Sequence, residues 1–229
     1  MSERTHSGRD SVLGKIRVKL SNGGSAGQRA ATVAARLADQ PAHVVPQRVQ
    51  TDPAGLEALF KAHLTSQSAA IIDVNADAEI PAAIAGWLRS TNLPMRLRMG
   101  DDPRLSALPW SKEPALTLEA GRAAPSDEVG LTHAVAGVAE TGTLVMASGL
   151  DNPVTVNFLP ENHVVVIRAK DIVGPYETAF DRVRALYGKG TMPRTLNMIS
   201  GPSRTGDIGG RLVMGAHGPR RMCVIVVHD

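Results

Sequence analysis

The chain has 229 residues, of which 43% are hydrophobic and only 3% aromatic, and its formal net charge is +3. This length suits one domain with a terminal extension, and a core of aliphatic side chains is typical of α/β proteins. The basic residues are scattered without aromatic interleaving, which argues against nucleic-acid binding. No apolar run approaches the roughly 20 residues of a membrane span, and the first ten residues lack an apolar signal segment, so we predict a cytoplasmic protein.

The first 66 residues are predicted to form an N-terminal helical arm. The spacing of apolar residues indicates helices over residues 11–20, 26–40 and 54–66. Pro41 ends the second helix, and Pro53 suits the first turn of the third.

Residues 67–229 are predicted to form one α/β domain in which strands alternate with helices. The predicted strands cover residues 69–74, 95–99, 115–118, 143–147, 163–167, 195–200 and 222–227. The predicted helices cover residues 79–90, 131–139, 175–187 and about 207–213. Such alternation favours a mostly parallel sheet with helices on both faces.

The chain has one cysteine, Cys223, in the last predicted strand. It cannot form an internal disulfide, and an iron–sulfur cluster takes about four thiolates. We interpret Cys223 as a small buried side chain. The histidines lack metal-ligand spacing, so we predict no metal site and no cofactor in this chain. A metal site built from His133, His217 and carboxylates is the alternative.

The first candidate loop contains Glu140, Thr141, Gly142 and Thr143, between a predicted helix and a strand. A carboxylate at a helix C-terminus is unfavourable, so Glu140 is either exposed or kept for a task. Gly142 can adopt a backbone conformation that is closed to other residues, and hydroxyls flank it. The alternative is a solvent-facing helix stop.

The second candidate loop covers residues 201–208. Arg204 offers a planar fork that suits carboxylate or phosphate, and Ser203 and Thr205 could bind a ligand or cap the next helix. Asp207 could cap that helix or orient Arg204. No Walker or dinucleotide-binding glycine pattern is present, so nothing local requires ATP or NAD. The alternative is a polar capped turn at a sheet edge.

The third candidate loop, residues 215–219, places His217 between glycines. This histidine could transfer a proton or bind an anion, or it could be structural or solvated. We predict that the three loops line one cavity for a small anion. Its predicted catalytic residues are Glu140 and His217, and its predicted ligand-binding residues are Thr141, Gly142, Thr143, Ser203, Arg204, Thr205, Asp207 and Gly218.

Four motifs occur here in the order and spacing of the LUD domain family. They are Ala139-Glu-Thr-Gly-Thr-Leu144, Leu159-Pro-Glu-Asn-His163, Gly201-Pro-Ser-Arg-Thr-Gly-Asp-Ile208 and Gly215-Ala-His-Gly-Pro219. The chain resembles this family over nearly its whole length, and most of all its lactate utilization protein C (YkgG-type) group.

The resemblance implies a fold like that of the NagB/RpiA/CoA-transferase group. It also implies a role in bacterial oxidation of L-lactate to pyruvate, with iron–sulfur clusters on partner proteins. We therefore expect a component of a lactate-oxidising complex that binds a small carboxylate. Two alternatives stay open: a stand-alone enzyme on an acyl, CoA or phosphosugar substrate, and a non-catalytic assembly or regulatory subunit that docks through its helical arm.

Overall fold

The computed structural model describes residues 4–22, 24–39, 44–208 and 211–228. The chain divides into two compact units, Met1–Val44 and Val45–Asp229. The first unit contains helices α1 (Arg4–Ser21) and α2 (Ala26–Asp39). Within the described ranges, no helix combines the length and the apolar character that a membrane crossing requires.

The second unit holds the remaining helices and all strands of the described residues. Its helices are α3 (Pro53–Ser66), α4 (Ile80–Ser90), α5 (Pro103–Ser106), α6 (Val154–Phe158) and α7 (Tyr176–Tyr187). Its strands are β1 (Ala70–Val74), β2 (Arg96–Met99), β3 (Thr117–Ala120), β4 (Val129–His133), β5 (Ala136–Val138), β6 (Thr143–Ala147), β7 (Asn162–Arg168), β8 (Ile172–Val173), β9 (Leu196–Ile199), β10 (Arg204–Ile208), β11 (Arg211–Met214) and β12 (Arg221–Val227).

The main sheet has six parallel strands in the order β1-β12-β7-β4-β2-β3. Its central strands read as nearly continuous apolar runs, and almost every residue of β4, β7 and β12 is buried. Such runs are typical of parallel strands that are covered on both faces. The mostly parallel α/β fold expected from the sequence is therefore confirmed.

The two faces of the main sheet are covered by different elements. Helix α4 covers one face with Ile84 and Leu88, which are fully buried. On the other face, α3 contributes Phe60 and Leu64 to a core that also contains side chains of β6. Strand β6 belongs to a second, four-stranded mixed sheet in the order β8-β5-β6-β9. A sheet thus takes part of the position where helices alone were expected.

The chain passes from the main sheet to the second sheet just after His133. The amide of Ala134 donates to the carbonyl of Val166 at 2.9 Å, and the amide of Val135 donates to that of Val145 at 2.9 Å. The predicted helix over residues 131–139 is therefore wrong, because this stretch forms parts of two strands. Its apolar run has no polar face, and periodicity alone cannot separate a buried strand from a buried helix in such a run.

The predicted helix at about residues 207–213 is also wrong. Strands β10 and β11 pair there as an antiparallel hairpin, with Arg204 opposite Met214. Glycines at positions 206, 209 and 210 each cost about 1 kcal/mol in a helix relative to alanine. A Gly-Gly pair such as residues 209–210 is a sequence that favours a hairpin turn.

Helix α3 groups with the main sheet, although the sequence analysis assigned residues 1–66 to the arm. Both Phe60 and Leu64 are fully buried, and the division of the chain falls between residues 44 and 45. The sequence boundary followed the first apolar strand. The apolar face of α3 was not considered when this boundary was placed, although such a face requires a partner surface.

Candidate functional site

Four hydroxyl groups meet at the amino end of β6. Thr141 and Thr143 lie 2.7 Å apart, and each lies 2.9 Å from the hydroxyl of Tyr176. Ser200 adds a fourth contact, 2.7 Å from Thr143. Each hydroxyl has one proton, so all four bonds form only when Ser200 donates to Thr143 and the other three bonds run in one direction around the ring. This hydroxyl ring joins the β5–β6 turn to α7 and to the end of β9.

Gly142, between the two threonines, is required by packing against α3. Its φ is +64°, and an added Cβ would lie 2.5 Å from Cβ of His63. Any larger residue would strain the backbone and clash with the helix. The special conformation predicted for Gly142 is confirmed, and its reason is close contact with protein.

Glu140 forms an ion pair with Arg48. A carboxylate oxygen of Glu140 lies 3.5 Å from a terminal nitrogen of Arg48, and the Glu140 amide donates to the carbonyl of Gly174 at 3.1 Å. Strand β5 precedes this residue, so the argument from an unfavourable helix terminus does not apply to it.

The second and third predicted loops meet at Ser203. Its amide donates to the carbonyl of Pro219 at 2.8 Å, and the amide of Gly215 donates to its carbonyl at 2.9 Å. The hydroxyl of Ser203 accepts the amide of His217 at 3.3 Å, which leaves its own proton for another acceptor. A Cβ on Gly218 would lie 3.5 Å from that of Ser203. These two loops therefore contact each other, and the cavity predicted between the three loops stays a prediction.

Arg204 is exposed and anchored to the end of α3. One terminal nitrogen donates to the carbonyl of Gln67 and to the hydroxyl of Ser68, both at 2.6 Å. Thr205 lies opposite Val213 in the hairpin. The Asp207 side chain lies outside the described part of the structure, so its predicted contact with Arg204 stays a prediction.

The predicted residues are only partly brought together. Thr143 reaches Ser200, and Ser203 reaches His217, so the three loops follow one another along the end of the second sheet. No hydrogen bond or ion pair within the described ranges joins Glu140 to His217. Their predicted cooperation as proton donor and acceptor stays a prediction.

A cavity of about 590 Å³ lies at the opposite, carboxyl end of β6. Four residues of β6 lie between Thr143 of the hydroxyl ring and Ser148 of the cavity, a separation of roughly 16 Å along a strand. Its lining includes Arg122, Ser148, Leu150, Thr155, Arg194 and Thr195. The sequence analysis did not select these residues. The signal that could have found them is their position in the chain. Arg122 and Ser148 closely follow strand ends, where α/β sheets commonly bind ligands.

Two buried polar groups lie at the carboxyl edge of the main sheet. The Asp102 carboxylate is 1% exposed and accepts two hydrogen bonds from the Arg104 guanidinium, at 2.7 and 2.8 Å. His133 ends β4 with 6% exposure, and its Nδ1 has no hydrogen-bond partner among described atoms. Burial, and then the Arg104 charge, lower the pKa of His133 to about 4. The imidazole is therefore neutral near pH 7.

Glu57, Asp73 and His228 form a surface cluster whose ligand atoms lie within 4.8 Å of one another. The Lys61 ammonium contacts both carboxylates, and His228 lies 2.8 Å from Asp73. Because a lysine already supplies positive charge there, we interpret the group as an ion-pair cluster.

The sequence comparisons place these features in a known family. A family model described as LUD domain matches residues 59–227. The chain belongs to the LUD domain family. This confirms the resemblance that the four motifs indicate, and the match includes the described loops around positions 140, 203 and 217 as well as the cavity.

Individual relatives carry the name lactate utilization protein C. The protein from Shouchella clausii is 37% identical over 102 residues, which are 44% of either chain. The protein from Bacillus subtilis is 36% identical over 102 residues, 44% of this chain and 42% of its own. The protein from Geobacillus kaustophilus is 33% identical over 146 residues, 56% of this chain and 61% of its own. The matches thus span about half the length of these relatives.

A solved structure supports the fold of this LUD domain protein. A DUF162 family protein from Deinococcus radiodurans matches 77% of this chain and 99% of its own, with a TM-score of 0.56 and 24% identity. At this identity, the likeness extends to the fold alone.

Replacing Tyr176 with phenylalanine tests the hydroxyl ring. The change removes two hydrogen bonds beside the buried Thr143, so we expect a loss of about 1–3 kcal/mol in the free energy of unfolding. Tyr187→Phe is the matched control, because no described residue bonds that hydroxyl, and we expect a change within about 0.5 kcal/mol. Urea denaturation measures both. Equal losses in the two variants would show that the ring does not contribute to stability.

The buried histidines predict a pH dependence of stability. Burial lowers the pKa of His163 to about 3, and burial and the nearby Arg104 lower that of His133 to about 4. Below pH 6.5 the unfolded chain therefore binds protons that the folded chain does not, and the free energy of unfolding falls as the pH falls.

Each histidine contributes a slope that approaches about 1.4 kcal/mol per pH unit. Urea denaturation between pH 6.5 and 5 measures the slope in a range where most carboxylates stay ionised. We expect a smaller slope for His133→Asn and for His163→Asn than for the wild type. An unchanged slope in both variants would contradict this assignment.

Proposed function

We propose that this chain is a component of an L-lactate utilization system. It acts together with iron–sulfur partner proteins to oxidise L-lactate to pyruvate. The proposal is supported by membership of the LUD domain family and by relatives named lactate utilization protein C. Because those matches cover about half of each relative, the reaction and the partners are part of the proposal.

Oxidation of L-lactate to pyruvate releases two electrons and two protons, which an acceptor must take up. The chain contains one cysteine, Cys223, which is fully buried in β12. Burial raises the pKa of its thiol to about 12, so the thiolate that a cluster needs is disfavoured. We therefore assign the electron carriers to cysteine-rich partner subunits.

In this proposal the small carboxylate binds at the surface formed by Ser203, Arg204 and His217. The observation that carries this assignment is the contact between the Ser203 hydroxyl and the His217 amide. This contact places a hydroxyl donor against the backbone of His217, and the neighbouring Arg204 is exposed. Arg204 uses one terminal nitrogen for its anchor, and its other two nitrogens can donate to a carboxylate. Thr205, Asp207 and Gly218 would support this surface.

The proton chemistry is assigned to His217 in preference to Glu140. Glu140 pairs with Arg48, whereas the imidazole of His217 is exposed and has no bond to a described residue. An exposed imidazole can accept the lactate hydroxyl proton, while the partner proteins receive the two electrons and the proton of the α-carbon.

Replacing Arg204 tests the ligand assignment. Isothermal titration of L-lactate and pyruvate against Arg204→Ala should show binding that is weaker by about tenfold or more, because a charge-assisted hydrogen bond is lost. Arg204→Lys should keep part of the affinity. Arg89→Ala is the matched control, since Arg89 is an exposed arginine paired with Glu113. Equal affinity of the wild type and Arg204→Ala would refute the role of this arginine.

Purification of the tagged full-length chain from its native host tests the partner assignment. We expect iron and acid-labile sulfide to co-purify with separate cysteine-rich polypeptides and lactate oxidation to require them. Turnover of lactate by the chain alone with a small-molecule electron acceptor would contradict the assignment of the electron carriers to partner subunits. Turnover of an acyl, CoA or phosphosugar substrate by the chain alone would favour a stand-alone enzyme.

A further inference from the structure

We propose that the cavity at the carboxyl end of β6 is a second binding site, which takes an organic dianion larger than lactate. Arg122 and Arg194 would hold its two anionic groups. The proposed lactate surface lies among other loops, so this inference does not depend on it.

Both arginines are available for a ligand. Arg122 and Arg194 are exposed, line the cavity and make no hydrogen bond or ion pair with any described residue. Other arginines near the edge of the main sheet are neutralised, as Arg98 is by Asp127 at 2.9 Å. No carboxylate is among the residues that line the cavity, and Asp151, whose carboxylate lies beside Gly149, pairs with Arg104 at 3.8 Å, so Arg122 and Arg194 bring two positive charges to one space. A guanidinium binds carboxylate or phosphate through paired hydrogen bonds, so an anion is the ligand that this charge favours.

The cavity also presents hydroxyl donors. The Ser148 oxygen accepts the amide of Thr195 at 2.8 Å, and the Thr155 oxygen accepts the amide of Ala123 at 3.0 Å. A hydroxyl whose oxygen already accepts a backbone proton still has its own proton to donate. The arginines and these two hydroxyls therefore all offer donors, which suits a ligand rich in acceptor oxygens.

The volume of the cavity and the apolar part of its wall suit a ligand that is larger than lactate. Pockets for small organic ligands commonly measure about 300–1,000 Å³, and this cavity measures about 590 Å³. Even at the roughly 30 Å³ that a water molecule occupies in the liquid, the six heavy atoms of lactate need only about 180 Å³. Leu150, Pro153 and Val154 add apolar surface. A carbon skeleton that carries two carboxylates, or a carboxylate and a phosphate, matches this combination.

The wall of the cavity is held in place by hydrogen bonds to its backbone and by close packing. The Asp101 amide donates to the Leu150 carbonyl at 3.0 Å, and the Asn152 side chain donates to the Ala147 carbonyl at 3.0 Å. A Cβ on Gly100 would lie 2.1 Å from the carbonyl oxygen of Asp151, so the end of β2 fits closely under this turn. A wall that is fixed before binding loses less conformational entropy when a ligand binds.

Isothermal titration of the full chain with two dianions tests the proposal. Glutarate presents two carboxylates, and phosphoglycolate presents a carboxylate and a phosphate. We expect at least one of them to bind more tightly than lactate, acetate or inorganic phosphate, and the stronger of the two identifies the class of the second anionic group. Binding should weaken as ionic strength rises, because the charges lie near solvent.

The variants Arg122→Ala and Arg194→Ala should each weaken this binding by about tenfold or more, and the lysine variants should keep part of it. Thermal unfolding of these variants should match the wild type, because neither arginine bonds a described residue. Arg89→Ala should bind the dianion like the wild type. The proposal is overturned if neither dianion binds, if both alanine variants bind like the wild type, or if inorganic phosphate alone binds as tightly as the dianions.

Discussion

The main sheet consists of six parallel strands, and its central strands are apolar on both faces, so both faces must be covered by protein. Helix α4 covers one face, and α3 with the second sheet covers the other. The chain builds the second cover directly from the end of β4, by leaving the main sheet after His133. The positions of the candidate sites follow from this requirement, because β6 of the covering sheet leads from one group of donors to the other.

The polar groups at the two ends of β6 differ in whether the protein satisfies their hydrogen bonds. At the amino end, the hydroxyls of Thr141, Thr143, Tyr176 and Ser200 satisfy one another, and Gly142 closes the turn against α3. At the carboxyl end, hydroxyls and arginines keep donors that the described protein does not use. Groups that are satisfied internally stabilise the fold, whereas groups that stay unsatisfied around a cavity are suited to a ligand.

The local sequence pattern was sufficient to predict most strands of the main sheet and the α/β class. Apolar runs rich in β-branched residues and bounded by turn residues are compatible with few secondary structures other than a strand. The pattern failed at residues 131–139, where a run buried on all sides carries no periodic signal. It failed again at residues 207–213, where the glycines should have argued against a helix. The family resemblance came from motifs whose order in the chain is visible without coordinates.

The contacts at the candidate sites could also be predicted only in part from the sequence. The meeting of Ser203 with His217 was predictable, because both lie in glycine-rich loops between neighbouring segments of the chain. The pairing of Glu140 with Arg48 was not predictable, because it joins residues 92 positions apart. Arg122 and Arg194 belong to no motif, and contacts between distant segments, such as Ala123 with Thr155 and Ser148 with Thr195, bring them to one cavity. Charged residues acquire such roles through tertiary structure, which a single sequence does not display.

The most direct test of two separate anion sites is amide chemical-shift mapping by NMR on the isotopically labelled full-length chain. Separate additions of L-lactate and of the tighter-binding dianion should perturb different amides. Lactate should shift those of Ser203, Arg204 and His217, and the dianion should shift those of Gly149, Leu150 and Thr195. If both ligands perturbed the same set of amides, or if neither perturbed its expected set, the account would be contradicted.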